Sequence, residues 1–167
     1  RLPILLKGVQ TWEDAVQAYE MGLAGVVLSN HGGRQLDFAR SGVEVLEEVM
    51  RELRKRGSFP NPAFQVMVDG GFRRGTDILK ALAMGATAVG IGRPFLYAYS
   101  AYGVDGVIHA INLLRDELEM NMRLIGARSI EELVPSMVDL SALHNHTGAV
   151  FPKQDQSVLD FMDKSRL

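Results

Sequence analysis

The chain has 167 residues, of which 47% are hydrophobic, and these values fit one globular domain with a sizeable core. Its 18 basic and 20 acidic residues give a net charge of −2, and no apolar run approaches the roughly 20 residues of a membrane span, so we expect neither nucleic acid nor a membrane as a partner. The absence of cysteine excludes disulfides, a thiolate metal site and a cysteine nucleophile, and we assign no metal site.

Four short apolar runs predict four β-strands, and helical patterns lie between them. The predicted strands are residues 3–6, 25–28, 64–68 and 86–91. Because these runs are apolar at nearly every position, they suit strands that are covered on both faces in a parallel sheet. The fold class predicted from this order is α/β.

Each helix between the strands has a capping side chain at its start and a glycine near its end. The predicted starts and stops are Thr11 and Gly22, Ser41 (with Glu44) and Gly57, and Thr76 and Gly85. Residues 20–26 and 83–89 also match each other in pattern, which suits arcs of a repeating barrel. The alternative is that helix–glycine–strand junctions simply look alike.

Beyond the fourth strand, a longer amphipathic helix is predicted from about Val107 to Gly126, and a capping box at 129–132 begins a short helix that Pro135 ends. We assign residues 1–150 to the domain and residues 151–167 to a loosely held polar tail. Since the chain begins directly in an apolar strand, we expect it to be cut from a larger domain.

Polar, glycine-rich segments follow the strands, where ligands bind in parallel α/β sheets and barrels. These segments are residues 7–8, 29–34, 69–74 and 92–94. In the last two, glycines let backbone N–H groups approach an anion, while Arg73 and Arg93 supply forked donors. A structural turn is the alternative for either loop alone, but two at consecutive strand ends favour a phosphate site.

The second segment combines a histidine with an arginine. A histidine such as His31 suits a base, and Arg34 suits a clamp for a carboxylate, so the pair indicates proton abstraction from a small carboxylic acid. The ordinary alternatives are a structural histidine and a solvated loop arginine; His109, His144 and His146 stay in the structural class. Lys7, at the end of a strand predicted to be buried, requires an anionic partner, either Asp69 or a cofactor.

The four motifs together resemble the FMN-dependent α-hydroxy acid dehydrogenase/oxidase family, which includes glycolate oxidases and cytochrome-linked L-lactate dehydrogenases. The matching segments are residues 6–9, 29–37, 69–75 and 92–95, and the resemblance runs from residue 2 to about residue 143. It implies a TIM (β/α)8 barrel, of which this chain would hold the second half, about strands five to eight, plus C-terminal helices.

The resemblance also implies roles for single residues. His31 would be the catalytic base and Arg34 would bind the substrate carboxylate. The FMN-binding residues implied are Lys7, Ser29, Asp69, Gly70, Gly71, Phe72, Arg73, Gly92 and Arg93.

The activity implied is oxidation of an (S)-2-hydroxy acid to the 2-oxo acid, with oxygen or a cytochrome as the final electron acceptor. L-Lactate is favoured and glycolate is next, because residues 118–133 look closer to the cytochrome-linked lactate branch. A homotetramer is expected for the full-length protein. The ending Ser165-Arg166-Leu167 resembles a peroxisomal address, with mitochondrion or cytoplasm as alternatives.

Two other hypotheses remain open. One is a different FMN barrel that acts on a phosphorylated substrate and needs no pair of His31 and Arg34. The other is a fragment or degenerate half-barrel, and we expect the isolated chain to be poorly soluble and inactive because the first four strands of such a barrel are missing.

Overall fold

The computed structural model describes residues 2–143, which form a four-stranded parallel sheet with helices between the strands. The strands are β1 (Leu5–Val9), β2 (Gly25–Leu28), β3 (Gln65–Asp69) and β4 (Ala88–Gly90), and they pair in the order β1-β2-β3-β4. The helices are α1 (Trp12–Glu20), α2 (Gly42–Lys55), α3 (Gly75–Met84) and α4 (Arg93–Leu124), followed by the 3₁₀ helices Ile130–Glu132 and Pro135–Met137. The predicted α/β class and element order are confirmed.

The polar tail predicted at 151–167, with its C-terminal Ser-Arg-Leu, lies outside the described residues, as do His144 and His146. Between residues 2 and 143, no helix is long and apolar enough to cross a membrane.

The first two helices begin as their capping sequences predict. Thr11 Oγ1 accepts from the Asp14 amide at 3.2 Å at the start of α1. At the start of α2, the Glu44 carboxylate accepts from the Ser41 amide at 2.7 Å, and Ser41 Oγ accepts from the Glu44 amide at 3.4 Å. These reciprocal bonds satisfy N–H groups that have no partner within the helix.

The sheet is covered by helices on one face. Val26, Leu28, Val66 and Val68 are completely buried and share a core with α2. The residues that alternate with them, such as Val27 and Met67, are only partly buried. The expectation of strands covered on both faces is therefore wrong for the described residues, since side chains alternate across a strand and the helices shield one side only.

The first strand starts and ends later than predicted. β1 begins at Leu5 and continues to Val9, with its pairing to β2 shifted between Lys7 and Val9, where Gly8 adopts a left-handed φ of 95°. Lys7 and Gly8 thus lie inside the strand instead of following it, and Leu5 and Leu6 are 42% and 44% exposed. The apolar run 3–6 was misleading because its first residues lie outside the ladder.

The start of α3 also differs from the prediction. Thr76 does not cap this helix; the Asp77 carboxylate instead accepts from the amides of Arg73 and Arg74, at 3.0 Å each. Glu117 of α4 accepts from the Gly75 amide at 2.8 Å. A Cβ on Gly75 would lie 2.5 Å from the backbone nitrogen of residue 118, so only glycine permits this approach.

The long helix begins earlier than Val107, at Arg93, and is broken at Gly103, where φ is 60° and ψ is −144°. The helix ends at Leu124, two positions before the predicted stop Gly126, which has a φ of 79°. Only part of the predicted apolar face is covered, since Ile111 is 51% exposed whereas Met122 is buried. Pro94 lies in the first turn of α4, a favourable position for proline.

The capping box predicted at 129–132 does not form. Ser129 makes no side-chain cap bond, and the Glu132 carboxylate instead accepts from the Arg128 amide at 2.9 Å. Pro135 begins a second 3₁₀ helix instead of ending the first. A charged neighbour outside the helix competes with the cap here because the Arg128 guanidinium also binds Glu132, at 2.8 Å.

We predict that Glu117→Gln destabilises the folded protein near neutral pH. Hydrogen bonds from the Arg74 guanidinium and the Gly75 amide hold the pKa of Glu117 below its ordinary value. The stabilisation is therefore complete above the pKa that Glu117 has in the unfolded chain, and it is lost as the pH falls through the lower folded pKa. The melting temperatures of the full-length protein and of its Glu117→Gln variant should differ at pH 7 and converge in acid.

Glu119→Gln is the matched control, because Glu119 lies on the same helix and is about half exposed. An equal loss of stability in both variants, or a Glu117→Gln effect that persists in acid, would contradict this account.

Candidate active site

One cavity of about 740 Å³ lies at the carboxyl ends of the strands. All of the residues that the sequence assigned to a site, except Ser29, line it. They are Lys7, His31, Arg34, Asp69, Gly70, Gly71, Phe72, Arg73, Gly92 and Arg93. Parallel pairing causes this convergence, because it brings the carboxyl ends of neighbouring strands to one edge.

The cavity also contains residues to which the sequence analysis assigned no individual role. They are Gly32, Gly90, Ile91, Pro94, Leu96 and Tyr97. Leu96 and Tyr97 stand three and four positions after Arg93 and share its side of the helix. Their role was hidden because the helix was predicted to begin only near Val107.

Lys7 and Asp69 face each other from strands β1 and β3. Lys7 Nζ lies 3.0 Å from Asp69 Oδ2 and donates to Ser29 Oγ at 2.8 Å. Asp69 is thus the structural partner that Lys7 required. The Lys7 side chain is 49% exposed, however, so the expectation of a buried strand end is wrong, and the ammonium still faces the cavity.

Ser29 lies directly after β2 and is 2% exposed. Its Oγ accepts from the Lys7 ammonium and, at 3.0 Å, from the His31 amide. The hydroxyl thus joins the β1 lysine to the loop that carries His31.

The loop after β2 contains three successive left-handed residues. His31, Gly32 and Gly33 have φ values of 58°, 68° and 73°. Asn30 Oδ1 accepts from the Gly33 amide at 3.1 Å, and Arg93 Nη2 donates to the Gly32 carbonyl at 2.7 Å. The segment is therefore held by a bond within the loop and by a bond from the start of α4.

The His31 and Arg34 side chains remain available to a ligand. Both are exposed, both line the cavity, and within residues 2–143 neither makes a side-chain hydrogen bond or ion pair. An imidazole that can accept a proton and a guanidinium that can bind a carboxylate suit a carboxylic acid from which a further proton is abstracted.

The loop after β3 suits an anionic group. Gly70 and Gly71 have left-handed φ values of 91° and 86°, and a Cβ on Gly71 would meet no atom within 4 Å, so the backbone borders open space. Arg73 is exposed on the same loop. Phe72, in contrast, is 3% exposed and belongs to the hydrophobic core, so its side chain anchors the loop from below.

The charge of the cavity is opposite in sign to that of the whole chain. The residues that line the cavity include four cationic side chains and a single carboxylate, that of Asp69. The cationic side chains are those of Lys7, Arg34, Arg73 and Arg93. Such local concentration of positive charge attracts anions even when the net charge is −2.

Asp69 offers a further contact point. Its Oδ1 is buried and has no hydrogen-bond partner among the described residues, although Oδ2 pairs with Lys7. A buried carboxylate oxygen without a donor is costly, and a ligand hydroxyl at this point would satisfy it.

Fold and site define an α/β protein with a cationic cavity where parallel strands end. Residues 1–140 match the family described as FMN-dependent dehydrogenase. The chain belongs to this family of FMN-dependent 2-hydroxy acid dehydrogenases and oxidases, as its motifs predicted.

The similar proteins fall into two groups by name, cytochrome L-lactate dehydrogenases and 2-hydroxy acid oxidases. L-lactate dehydrogenase (cytochrome) of Wickerhamomyces anomalus is 59% identical over 145 residues, which are 87% of this chain and 25% of that protein. A peroxisomal (S)-2-hydroxyacid oxidase of Arabidopsis thaliana is 49% identical over 82% of this chain and 36% of the relative. The chain therefore spans only about a quarter to a third of the relatives it matches.

Solved structures agree with this assignment. The recombinant flavin-binding domain of baker's yeast flavocytochrome b2 superposes with a TM-score of 0.82 at 53% identity, over 96% of this chain and 39% of that one. Mandelate oxidase with benzoyl-formic acid gives a TM-score of 0.73 at 43% identity, over 80% of this chain and 38% of that one. The four-stranded unit thus corresponds to part of a larger flavin-binding domain.

We predict that the ion pair between Lys7 and Asp69 is weak in the absence of a ligand. Because the lysine side chain is 49% exposed, a double-mutant cycle with Lys7→Met and Asp69→Asn should give a coupling free energy of at most about 1 kcal/mol, which falls in 1 M salt. Chemical unfolding of the full-length protein without flavin measures it. A coupling above about 3 kcal/mol that is insensitive to salt would show a desolvated pair and contradict the availability of Lys7.

Proposed function

We propose that the full-length protein containing this chain oxidises an (S)-2-hydroxy acid to the 2-oxo acid with FMN, and that residues 2–143 form the second half, about strands five to eight, of its TIM barrel. The observation that carries the proposal is the cavity lined by His31 and Arg34, whose side chains have no partner within residues 2–143, together with Lys7 and the glycine–arginine loops after β3 and β4. Membership of the family and the superposition on a flavin-binding domain support it.

The cavity fits the cofactor. Its volume of about 740 Å³ lies within the roughly 300–1,000 Å³ of ordinary ligand sites. Left-handed Gly70 and Gly71 with Arg73 and Arg93 suit a phosphate group. The buried, unpartnered Asp69 Oδ1 suits a hydroxyl donor such as those of a ribityl chain.

These features support the full set of cofactor residues predicted from the sequence. We propose that backbone groups and two arginine side chains hold the phosphate end of FMN. The backbone groups are those of Gly70, Gly71, Phe72 and Gly92, and the arginines are Arg73 and Arg93. Lys7, Ser29 and Asp69 would hold the remainder, with Lys7 at the edge of the ring system. When bound, FMN supplies a two-electron acceptor.

The side chains of this chain do the acid–base and binding work. Arg34 binds the substrate carboxylate through two parallel hydrogen bonds and so orients the carbon that carries the hydroxyl. His31 accepts a proton from the substrate through an imidazole nitrogen. The Lys7 ammonium stabilises negative charge that develops beside it.

Several finer points belong to this proposal. L-Lactate is the favoured substrate and glycolate the next, since the relatives named for cytochrome-linked L-lactate dehydrogenase reach 59% and 58% identity and a relative named glycolate oxidase reaches 48%. Oxygen or a cytochrome would reoxidise the flavin. A homotetramer is proposed for the full-length protein, and a peroxisomal location is supported by relatives that are named peroxisomal.

The isolated chain is proposed to be inactive. Leu2, Ile4, Leu5 and Leu6 are exposed along the edge strand β1 and its approach, and apolar surface of this kind favours aggregation unless further chain covers it.

A barrel that acts on a phosphorylated substrate is less well supported, because such an enzyme would have no use for His31 and Arg34 placed together on the cavity.

The direct experiment is to express the full-length protein, record its flavin absorbance, and add L-lactate or glycolate without oxygen. Bleaching of the flavin is expected. A colourless protein would support the degenerate half-barrel, and a yellow protein that no 2-hydroxy acid bleaches would support the phosphorylated-substrate hypothesis.

We predict that His31→Gln leaves the protein yellow but slows reduction by substrate about 10²–10⁴-fold, because it removes the base and keeps the loop polar. His109→Gln is the matched control, since His109 is exposed on α4 away from the cavity. Stopped-flow absorbance measures both rates. Similar rates in the two variants would remove His31 from its role.

We predict that Arg34→Lys mainly weakens substrate binding, because an ammonium cannot make the two parallel hydrogen bonds of a guanidinium. KM for the hydroxy acid should rise roughly tenfold or more. Arg115→Lys, at an exposed position of α4, should leave KM unchanged. A normal KM in Arg34→Lys would contradict the carboxylate clamp.

We predict that Arg73→Gln weakens binding of FMN roughly tenfold or more but leaves the affinity for riboflavin unchanged, since only FMN carries the phosphate. Fluorescence titration of the flavin-free full-length protein measures both affinities. Arg128→Gln is the control, because Arg128 pairs with Glu132 outside the cavity. Equal losses for both flavins would place the phosphate elsewhere.

A further inference from the structure

Ser29 is the one predicted cofactor residue that does not line the cavity, although it lies within hydrogen-bond distance of two residues that do. We propose that Ser29 is a positioning residue, whose buried hydroxyl fixes the backbone of His31 relative to the Lys7 ammonium. The inference rests on the proposed function for the role of His31 as a base, and it goes beyond a flavin contact for Ser29.

Both acceptor positions of the Ser29 hydroxyl are in use. A hydroxyl oxygen has two lone pairs, and those of Ser29 accept from Lys7 Nζ at 2.8 Å and from the His31 amide at 3.0 Å. Because the residue is 2% exposed, water does not readily replace either bond. Loss of the hydroxyl would leave an amide without its partner and reduce the lysine to its contact with Asp69.

His31 needs such a restraint more than its neighbours do. Its φ of 58° is left-handed, a conformation that costs a residue with a Cβ more than it costs glycine. Gly32 and Gly33 are free of that cost. A non-glycine residue stays left-handed only when its surroundings determine the conformation, and two bonds do so here. The His31 amide donates to Ser29 Oγ, and the Gly33 amide donates to the Asn30 carbonyl across His31 and Gly32.

The rest of the loop has separate anchors. Arg93 holds the Gly32 carbonyl, and both oxygens of Asn30, backbone and side chain, accept from the Gly33 amide at 3.1 Å. The bonds between Asn30 and Gly33 close the turn that contains His31 and Gly32, and none of these anchors involves Ser29. Loss of the Ser29 hydroxyl should therefore displace the base and leave the carboxylate clamp in place.

The test is Ser29→Ala in the flavin-loaded full-length protein, with amide hydrogen exchange resolved at His31 by mass spectrometry with fragmentation. Exchange of the His31 amide should accelerate about fivefold or more, since its hydrogen bond is lost, while the strands keep their protection. kcat should fall about 10- to 100-fold with KM within about twofold, because a base displaced by about 1 Å is inefficient while Arg34 still binds. Ser29→Thr, which keeps the hydroxyl, should restore protection of the His31 amide.

Thr87→Val is the matched control, because it removes a hydroxyl that accepts from a backbone amide at 3.2 Å outside this loop, and it should leave exchange of the His31 amide unchanged. Unchanged His31 exchange in Ser29→Ala would overturn the inference, and so would faster exchange with unaltered kcat. Loss of protection spread over the whole sheet would also overturn it, since Ser29 would then be a general core residue. If no 2-hydroxy acid reduces even the parent protein, the proposed function fails, whereas the exchange result still decides whether Ser29 holds His31.

Discussion

Parallel pairing of four strands is the constraint on which the rest of the structure depends. Each strand has the next one beside it in register, so Lys7 of β1 lies at the level of Val27 and Met67, and Asp69 at the end of β3 lies opposite Gly90. The segments that follow the strands must then meet at one edge of the sheet, whatever the distance between them along the chain. The proposed base, carboxylate clamp and anion site therefore share a single cavity without any one loop carrying all three.

Close backbone approaches stabilise this arrangement. Gly42 at the start of α2 lets the helix lie against the sheet, because a Cβ there would stand 2.7 Å from the Asp69 carbonyl and 2.8 Å from the Leu28 carbonyl. Gly75 plays the same part between α3 and α4, where Glu117 accepts from its amide. Helix placement of this kind fixes the ends of β2 and β3, and thus the loops that carry His31 and Gly70.

The sequence predicted features that depend on neighbouring residues and missed those that depend on distant contacts. The box of Ser41 with Glu44 is local and was confirmed, whereas α3 is capped with the help of Glu117, 42 positions away, which no local pattern reveals. The residues of the cavity were found because each follows or ends an apolar run. Leu96 and Tyr97 were missed with the true start of α4, and the exposed face of β1 was missed because an apolar run does not show which face the helices cover.

A crystal structure of the full-length protein with FMN and a 2-oxo acid tests most directly whether the strand ends form one site for the flavin and the hydroxy acid. The account predicts the flavin ring edge beside Lys7 Nζ, its phosphate on the loops of Gly70 and Gly92, and the ligand carboxylate on Arg34 at about 2.7–2.9 Å, with His31 beside the ligand's carbon–oxygen bond. A carboxylate bound elsewhere, or a phosphate remote from both glycine loops, would contradict it.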